Sequence, residues 1–464
     1  MTEIAVKKKS RTKLDMTQGS IMKLVVLFAL PIIASNVLQQ LYTIVDTLII
    51  GNFCGPQSIA AIGTSSQPIE VFMCVFMGIG AGVSILVSMY TGSKDDEALG
   101  KTVKTSISFT YLCAIPLSIL GIVLTPVILK FMNVPEDTWD LAVLYIRIVF
   151  LGLLGTMGYN MNAGILRGLG DSSSTLLFLI ISSVTNIVLD IVFVAGFHMD
   201  VGGAAVATII SMYLAWIASV VYVMKKYPQI GFTFLPKSLD GKSLSDILKM
   251  GLPLGFNNSI YTVGHILMQS LINMQGSGFM AGASVAGKIM GVSSVAITSF
   301  SSAMSTFAGQ NYGAKLYARL RKGGKIVPVY SAAITISLGV IMYIFAEPLI
   351  RCFTDDPEAI KYAMLCVHIQ VPFQWCYCVL NTILNLSNGI GAVKYSTIVN
   401  LLMLWAVRIP SAYLIAIFFD GHYVTGAVSI SFIFGMIASL LFYRSRNWKK
   451  IKDLEMAQSN MAFS

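Results

Sequence analysis

Long apolar runs and short polar interruptions alternate along the whole chain. Twelve runs of about 20 residues or more stand out, each long enough to cross a hydrocarbon core of roughly 30 Å as a helix. Six fall within 22–224 and six within 250–443, with polar stretches at 1–21, 225–249 and 444–464. The first run is too long for the core of a cleaved signal peptide and has no small-residue cleavage site, so it reads as a retained helix. Prolines inside the runs, such as Pro31, Pro253 and Pro410, are tolerable because neighbouring helices can satisfy the backbone groups they free. The pattern predicts an all-α integral membrane protein with 12 transmembrane helices.

The runs also repeat. Pro31 and Pro253 each sit in a Leu-Pro near the start of a run, 222 residues apart, and Pro135 and Pro357 each precede a Glu at the same spacing. "YTGSK" around Gly92 is echoed by "NYGAK" around Gly313, and "RGLG" at Arg167 by "NGIG" at Asn388, both pairs 221 apart. Constant spacing over four landmarks predicts two tandem six-helix lobes, 22–224 and 250–443, joined by a linker at 225–249. Six is even, so both lobes enter from the same side, as in transporters whose halves are related by an axis along the membrane normal.

Composition narrows the class further. The chain of 464 residues is 55% hydrophobic and 12% charged, about half the charge an average soluble domain carries. Seven scattered cysteines form neither a disulfide framework nor a zinc module. The net charge of +10 is a topology signal rather than a nucleic-acid signal, because its basic residues do not interleave with aromatics in a groove-like run. Of 32 Lys and Arg, 26 fall on the side that holds both termini, 3 on the other side and 3 inside runs. By the positive-inside rule both termini, including the basic segment with Lys7, Lys8, Lys9, Arg11 and Lys13, are expected in the cytoplasm. The opposite loops are acidic, at Glu136, Asp200, Asp355 and Asp420 among others, and read as solvated loop carboxylates.

Acids inside the runs are few, namely Asp46, Glu70 and Asp190. An ionisable group at mid-bilayer costs about 2.5–3.5 kcal/mol on insertion scales, so each is a functional hypothesis by default. Glu70 lies in the first half of its run, toward the side opposite the termini, and reads as a rim carboxylate. In "NVLQQLYTIVDTLIIG" the residues Asn36, Gln39, Gln40, Tyr42, Thr43 and Asp46 recur every three or four positions, giving one polar helix face. That face must look into protein or water. Asp190 closes "TNIVLD" with Asn186 one turn before it. A carboxylate with an amide one turn away forms an oxygen cage for Na⁺, a proton site, or a pair of helix-packing hydrogen bonds.

These segments resemble the multidrug and toxic compound extrusion (MATE) family over nearly the full length. "ILRGLGDSSST" resembles its Arg-Gly-x-Gly-Asp loop, "STFAGQNYGAK" its Gln-Asn-x-Gly-Ala loop, "LWAVRIPSAYL" its eleventh helix and "LYTIVDTLIIG" its first. The resemblance implies two lobes forming a V-shaped central cavity, and export of amphipathic cationic compounds in exchange for Na⁺ or H⁺, with no other cofactor. In the DNA-damage-inducible branch the cation site combines a first-helix Asp and Tyr, an Asn-x-x-x-Asp on the fifth helix and a Thr on the sixth. Asp46, Tyr42, Asn186, Asp190 and Thr208 match that pattern, and Pro31 stands where the first helix of the family bends. The NorM branch adds acids on helices seven and ten. Here "GLPLGFNNSIYTVGH" has none, and Tyr261 stands near the expected Glu.

Other polar and aromatic residues are candidates to line a substrate cavity: Gln39, Tyr261, His265, Lys288, Phe373 and Trp375. Arg408 reads as structural. No metal site is expected beyond Na⁺ at Asp46, Asn186, Asp190 and Thr208. A His-Glu-x-x-His, a nucleophile elbow or a paired catalytic motif is missing, which argues against an enzyme. A lipid-linked oligosaccharide flippase of related architecture is the main rival, but a diphosphate cargo calls for a strongly basic cavity. The expectation is therefore a monomeric multi-pass transporter in the plasma membrane of a bacterium, with small organic molecules and membrane lipid, not nucleic acid, as its partners.

Overall fold

A computed structural model describes residues 14–132 and 134–463, so the basic cluster from Lys7 to Lys13 lies outside the described residues. Among the described residues the chain is helical, without strands. The first lobe contains α1 (Ile21–Phe53), α2 (Pro56–Ser93), α3 (Asp96–Phe131) and α4, whose two pieces are Glu136–Leu151 and Leu153–Gly168. It closes with α5 (Ser172–Asp190, continued as the wider π-turn Ile191–Gly196) and α6 (Asp200–Lys226). The second lobe begins with α7 (Gly241–Asn273), α8 (Ser277–Gly313) and α9 (Tyr317–Ile344). Next is α10, formed by Pro357–Gln370 and Gln374–Gly389. Then α11 runs from Val393–Leu401 through a π-turn, Leu402–Arg408, to Ile409–Phe418, followed by α12 (Gly426–Leu440). A last helix, α13 (Arg446–Phe463), occupies the tail.

Local chemistry sets the helix ends. Asp95, Asp171 and Asp240 cap α3, α5 and α7 by accepting hydrogen bonds from the N–H groups of Ala98, Ser174 and Ser243. Turns with positive φ come in pairs at the sequence repeat: Gly55 and Gly276, Lys94 and Lys315, Gly170 and Gly391, each pair 221 residues apart. The two lobes therefore share a backbone plan down to individual left-handed residues.

Among the described residues, ten helices are long and apolar enough to span a membrane, and the α4 pair, bent by 48°, makes an eleventh. The remaining helix, α7, is interrupted by Asn257, Asn258, Thr262, His265 and Gln269, and its polar face is tolerable because protein covers it. It packs so tightly on α2 that a Cβ at Gly78 would lie 2.1 Å from the Gly255 nitrogen. It also begins at Gly241, nine residues earlier than the hydropathy pattern gave, because its first turns are polar. The tail likewise differs from a bare charge run: Trp448 and Ile451 of α13 are buried against the second lobe, and Arg321 pairs with Glu455 at 2.5 Å.

The closest approaches between lobes lie in the half that carries the termini. A Cβ at Gly92 of α2 would fall 2.0 Å from the Gln310 carbonyl oxygen, and one at Gly313 of α8 would fall 1.9 Å from that of Met89. Small residues allow this contact where apolar helices gain no hydrophobic drive against lipid. The two motif loops interlock there. Gln310 donates to the Gly168 carbonyl at 3.2 Å and accepts from the Met16 N–H at 3.0 Å, while Asn311 donates to the Met16 carbonyl at 3.1 Å. Helix α1 belongs to both lobes. Val25, Phe28 and Ile32 join Phe300 and Phe307 of the second lobe, whereas Ile50 packs on Val194 and Ala204 of the first. Pro31 stands at the changeover, where it removes one rung of the helical ladder.

Candidate functional site: a paired carboxylate cluster and an amide-lined cavity

Tyr42 and Asp46 are one turn apart on α1, Asn186 and Asp190 one turn apart on α5, and Thr208 faces them from α6. The fold brings all five together inside the first lobe. The Tyr42 hydroxyl lies beside the Thr208 side chain, and the carboxyl of Asp46 lies beside that of Asp190. Asp190 has no solvent exposure. With its amide turned so that donors meet acceptors, Asn186 donates to Asp190 Oδ2 at 2.8 Å and accepts from the Thr208 N–H at 3.3 Å. Tyr145 of α4 completes the cluster beside Asp46, Tyr42 and Asp190.

Two features define what this arrangement can do. Asp46 Oδ1 and Asp190 Oδ1 are buried and have no hydrogen-bond partner, a costly state for polar atoms. Two carboxylates facing one another also repel unless a proton or a cation lies between them. The surrounding donors are oxygens from carboxyl, amide and hydroxyl groups, the set preferred by a hard cation. The π-turn begins at the residue after Asp190, and such single-turn widenings recur at functional sites.

The residues expected to line a substrate cavity do not converge on one pocket. Tyr261, half-buried, and His265, exposed, meet edge to face with ring centres 5.1 Å apart, beside Arg408 of the second lobe. That arginine is 2% exposed, donates to Ser431 at 2.9 Å and Tyr261 at 3.1 Å, and lies between the Tyr261 and Phe432 rings. Lys288 is exposed, with its amine 5.6 Å from the Phe353 ring, and Gln39 is exposed on α1. Phe373 occupies the 3₁₀ turn inside α10, and Trp375 lines a separate groove with Tyr343 and Pro372.

A different set lines the cavity between the lobes, which measures about 290 Å³. Asparagines dominate it, with Ser and Thr from α8 and with Arg167 as the one charged lining side chain. Three of the asparagines, Asn381, Asn385 and Asn388, follow the i, i+4, i+7 spacing of one helix face. That pattern stands in "NTILNLSN", although a search for charged residues passes over it.

Comparison with known proteins bears on the family and the fold. The MatE family profile matches residues 31–192 and 253–414, one match in each lobe. "Probable multidrug resistance protein YpnP" of Bacillus subtilis is 27% identical over 439 residues, covering 94% of this chain and 98% of that one. "Probable multidrug resistance protein NorM" of Thermotoga maritima is 26% identical, covering 93% and 94% respectively. Among solved structures, a MATE protein in its straight conformation superposes with a TM-score of 0.88 at 21% identity, over 97% of this chain and all of that one. The bent form of the Vibrio cholerae MATE transporter VcmN gives 0.85 at 19%, over 94% of this chain and 98% of that one. With the family profile covering more than half of the sequence, the chain belongs to the MATE family of multi-pass membrane transporters that carry out multidrug efflux.

Proposed function

We propose that this transporter is a secondary antiporter that exports small amphipathic organic cations against inward flow of Na⁺ or H⁺, with the coupling site in the first lobe. The observation that carries this reading is the pair of facing carboxyls, Asp46 and Asp190, each with a buried oxygen lacking a partner. A cation or proton entering there neutralises the pair. Asp46 belongs to α1, whose other half packs on the second lobe beyond Pro31, so a change in α1 packing is felt by both lobes. The pattern is that of the DNA-damage-inducible branch, and α7 carries no acid in its membrane portion beyond Pro253.

The weight of basic residues puts both termini in the cytoplasm. The glycine-tight contacts then seal the cytoplasmic side, and the arrangement faces outward. One chain supplies both lobes and works as a monomer. Exchange of one singly charged cargo for one ion moves no net charge, so the ion's own concentration gradient drives it, a tenfold gradient supplying about 1.4 kcal/mol. The flippase reading is weaker, because a single guanidinium lines the inter-lobe cavity.

The reading is tested in inverted vesicles loaded with a cationic dye gradient, with the Na⁺ and pH gradients collapsed separately. Transport that stops when one of the two is collapsed names the coupling ion. Transport that survives collapse of both removes the antiport assignment.

A further inference from the structure

The linker between the lobes is held against α3 at membrane depth. Phe232 is buried, and the Phe234 ring packs 5.1 Å from that of Trp216 on α6. Two hydrogen bonds fasten the linker to α3: Tyr111 donates to the Phe234 carbonyl at 3.1 Å, and Ser108 to the Ser238 carbonyl at 2.9 Å. On α3 no charged residue stands between Lys104 and Lys130. Ser108 and Tyr111 lie four and seven residues past Lys104, about 6–10 Å along the helix axis. That is the depth of the boundary between headgroups and acyl chains. The linker suits such a place, for Leu235 is 65% exposed and Leu239 49%, an exposure that water penalises and a bilayer interface favours.

Between the linker and α3 lies a groove of about 560 Å³, within the range of pockets that hold a small organic molecule. Leu112, Ile115 and Pro116 of α3 form its apolar wall, and Lys237 is the charged residue of its lining, with Ser238 beside it. The face of α3 that carries Leu112 and Ile115 continues to Ile119 and Val123, all exposed. A chain leaving the groove therefore runs on along a lipid-facing helix. Lys237 is exposed and forms no ion pair among the described residues. The nearest acid in sequence, Asp240, caps α7 and faces Lys101 and Lys242. A lysine at this depth lays its stem on apolar surface and keeps its ammonium among the headgroups, where the phosphates of anionic lipids supply the opposite charge.

We propose that this groove is a binding site for one anionic phospholipid of the leaflet on the side of the termini, with an acyl chain along Leu112 and Ile115 and the phosphate on Lys237 and Ser238. The site shares no lining residue with the cavity between the lobes and stands independently of the antiport reading. Because the linker is the covalent tie between the lobes, a lipid held there fastens that tie to the bilayer.

The full-length protein is reconstituted in phosphatidylcholine vesicles that contain, at low mole fraction, phosphatidylglycerol with a diazirine in one acyl chain. After irradiation the adducts are mapped by peptide mass spectrometry. They are expected to concentrate on residues 112–116 and 236–239 over the other lipid-facing segments. Lys237→Gln is expected to lower these adducts by roughly tenfold, the worth of a charged hydrogen bond, and Lys237→Arg to keep most of them. Leu112→Trp, which fills the groove, is expected to remove them. Both residues are exposed, so neither change disturbs a packed interior. Even labelling of all lipid-facing segments in the unaltered protein overturns the proposal, an outcome that needs no variant to fold. Equal labelling of the groove by a phosphatidylcholine probe with the same chain removes the anionic class and the role of Lys237, and overturns it too. Adducts unchanged in Lys237→Gln or in Leu112→Trp do the same.

Discussion

Two side chains and one turn of helix on either side carry the coupling argument. Asp46 and Asp190 face one another with unpartnered oxygens, Asn186 braces Asp190 and accepts from the Thr208 N–H, and Tyr42 lies beside Thr208. Tyr145 adds a hydroxyl that sequence reasoning passed over. If Tyr145 helps to hold the cation-loaded state, Tyr145→Phe shifts the half-saturating Na⁺ or H⁺ activity for dye export by roughly threefold to tenfold, the worth of one hydrogen bond. An ion titration of transport rates checks this, and an unshifted midpoint assigns Tyr145 to packing alone. At this scale the sequence was legible where rarity drew the eye. A carboxylate in an apolar run is conspicuous, and a Tyr or Asn one turn away follows from helical spacing. Tyr145 was not legible, since a tyrosine in "AVLYIRIVF" has no local sign of the acids that two other helices bring to it. The asparagines of α10 had a readable spacing, but neutral amides do not announce themselves by cost.

Helices obey different rules here from those of soluble proteins. Burial against lipid brings no gain over burial against protein, so contacts form where backbones approach closely. Helix α2 does this along the half near the termini, against Gly255 of α7 and Gln310 of α8. A side chain at Gly92 has nowhere to go, its Cβ falling 2.0 Å from a carbonyl oxygen. Overpacking of this kind costs about 1–3 kcal/mol, all of it levied on the sealed arrangement. Gly92→Val is therefore expected to raise maleimide labelling of a Ser84→Cys reporter from the terminal side by about tenfold, as measured in membrane vesicles of known orientation. Unchanged labelling means that α2 and α8 do not form the seal. Hydropathy located the helices well and their starts poorly. The first turns of α7 are too polar to register, and α13 is amphipathic, with only Trp448 and Ile451 deeply buried near its start. Apolar length cannot reveal a helix that lies along a surface.

The whole molecule is two copies of one plan, and their differences hold the function. The shared spacing of 221 residues reappears in paired left-handed turns, so the repeat read from motifs is a repeat of backbone. The polar centres diverge. The first lobe sets Asp46 and Asp190 face to face, whereas the second buries Arg408 between Tyr261 and Phe432 and lines the shared cavity with asparagines. On the proposed reading, the first lobe takes the cation and the cavity shared by both takes the organic cargo. Antiport requires that the two sites compete, and competition is reciprocal: a cation that weakens cargo binding is itself weakened by cargo. Equilibrium displacement of bound rhodamine 123 from the purified transporter tests this most directly, with Na⁺ and acid titrated separately in the unaltered protein and in Asp190→Asn. The account predicts that one of the two titrants displaces the dye from the unaltered protein and fails to displace it from Asp190→Asn. Equal displacement from both proteins would contradict it, because the carboxyl pair would then have no part in coupling.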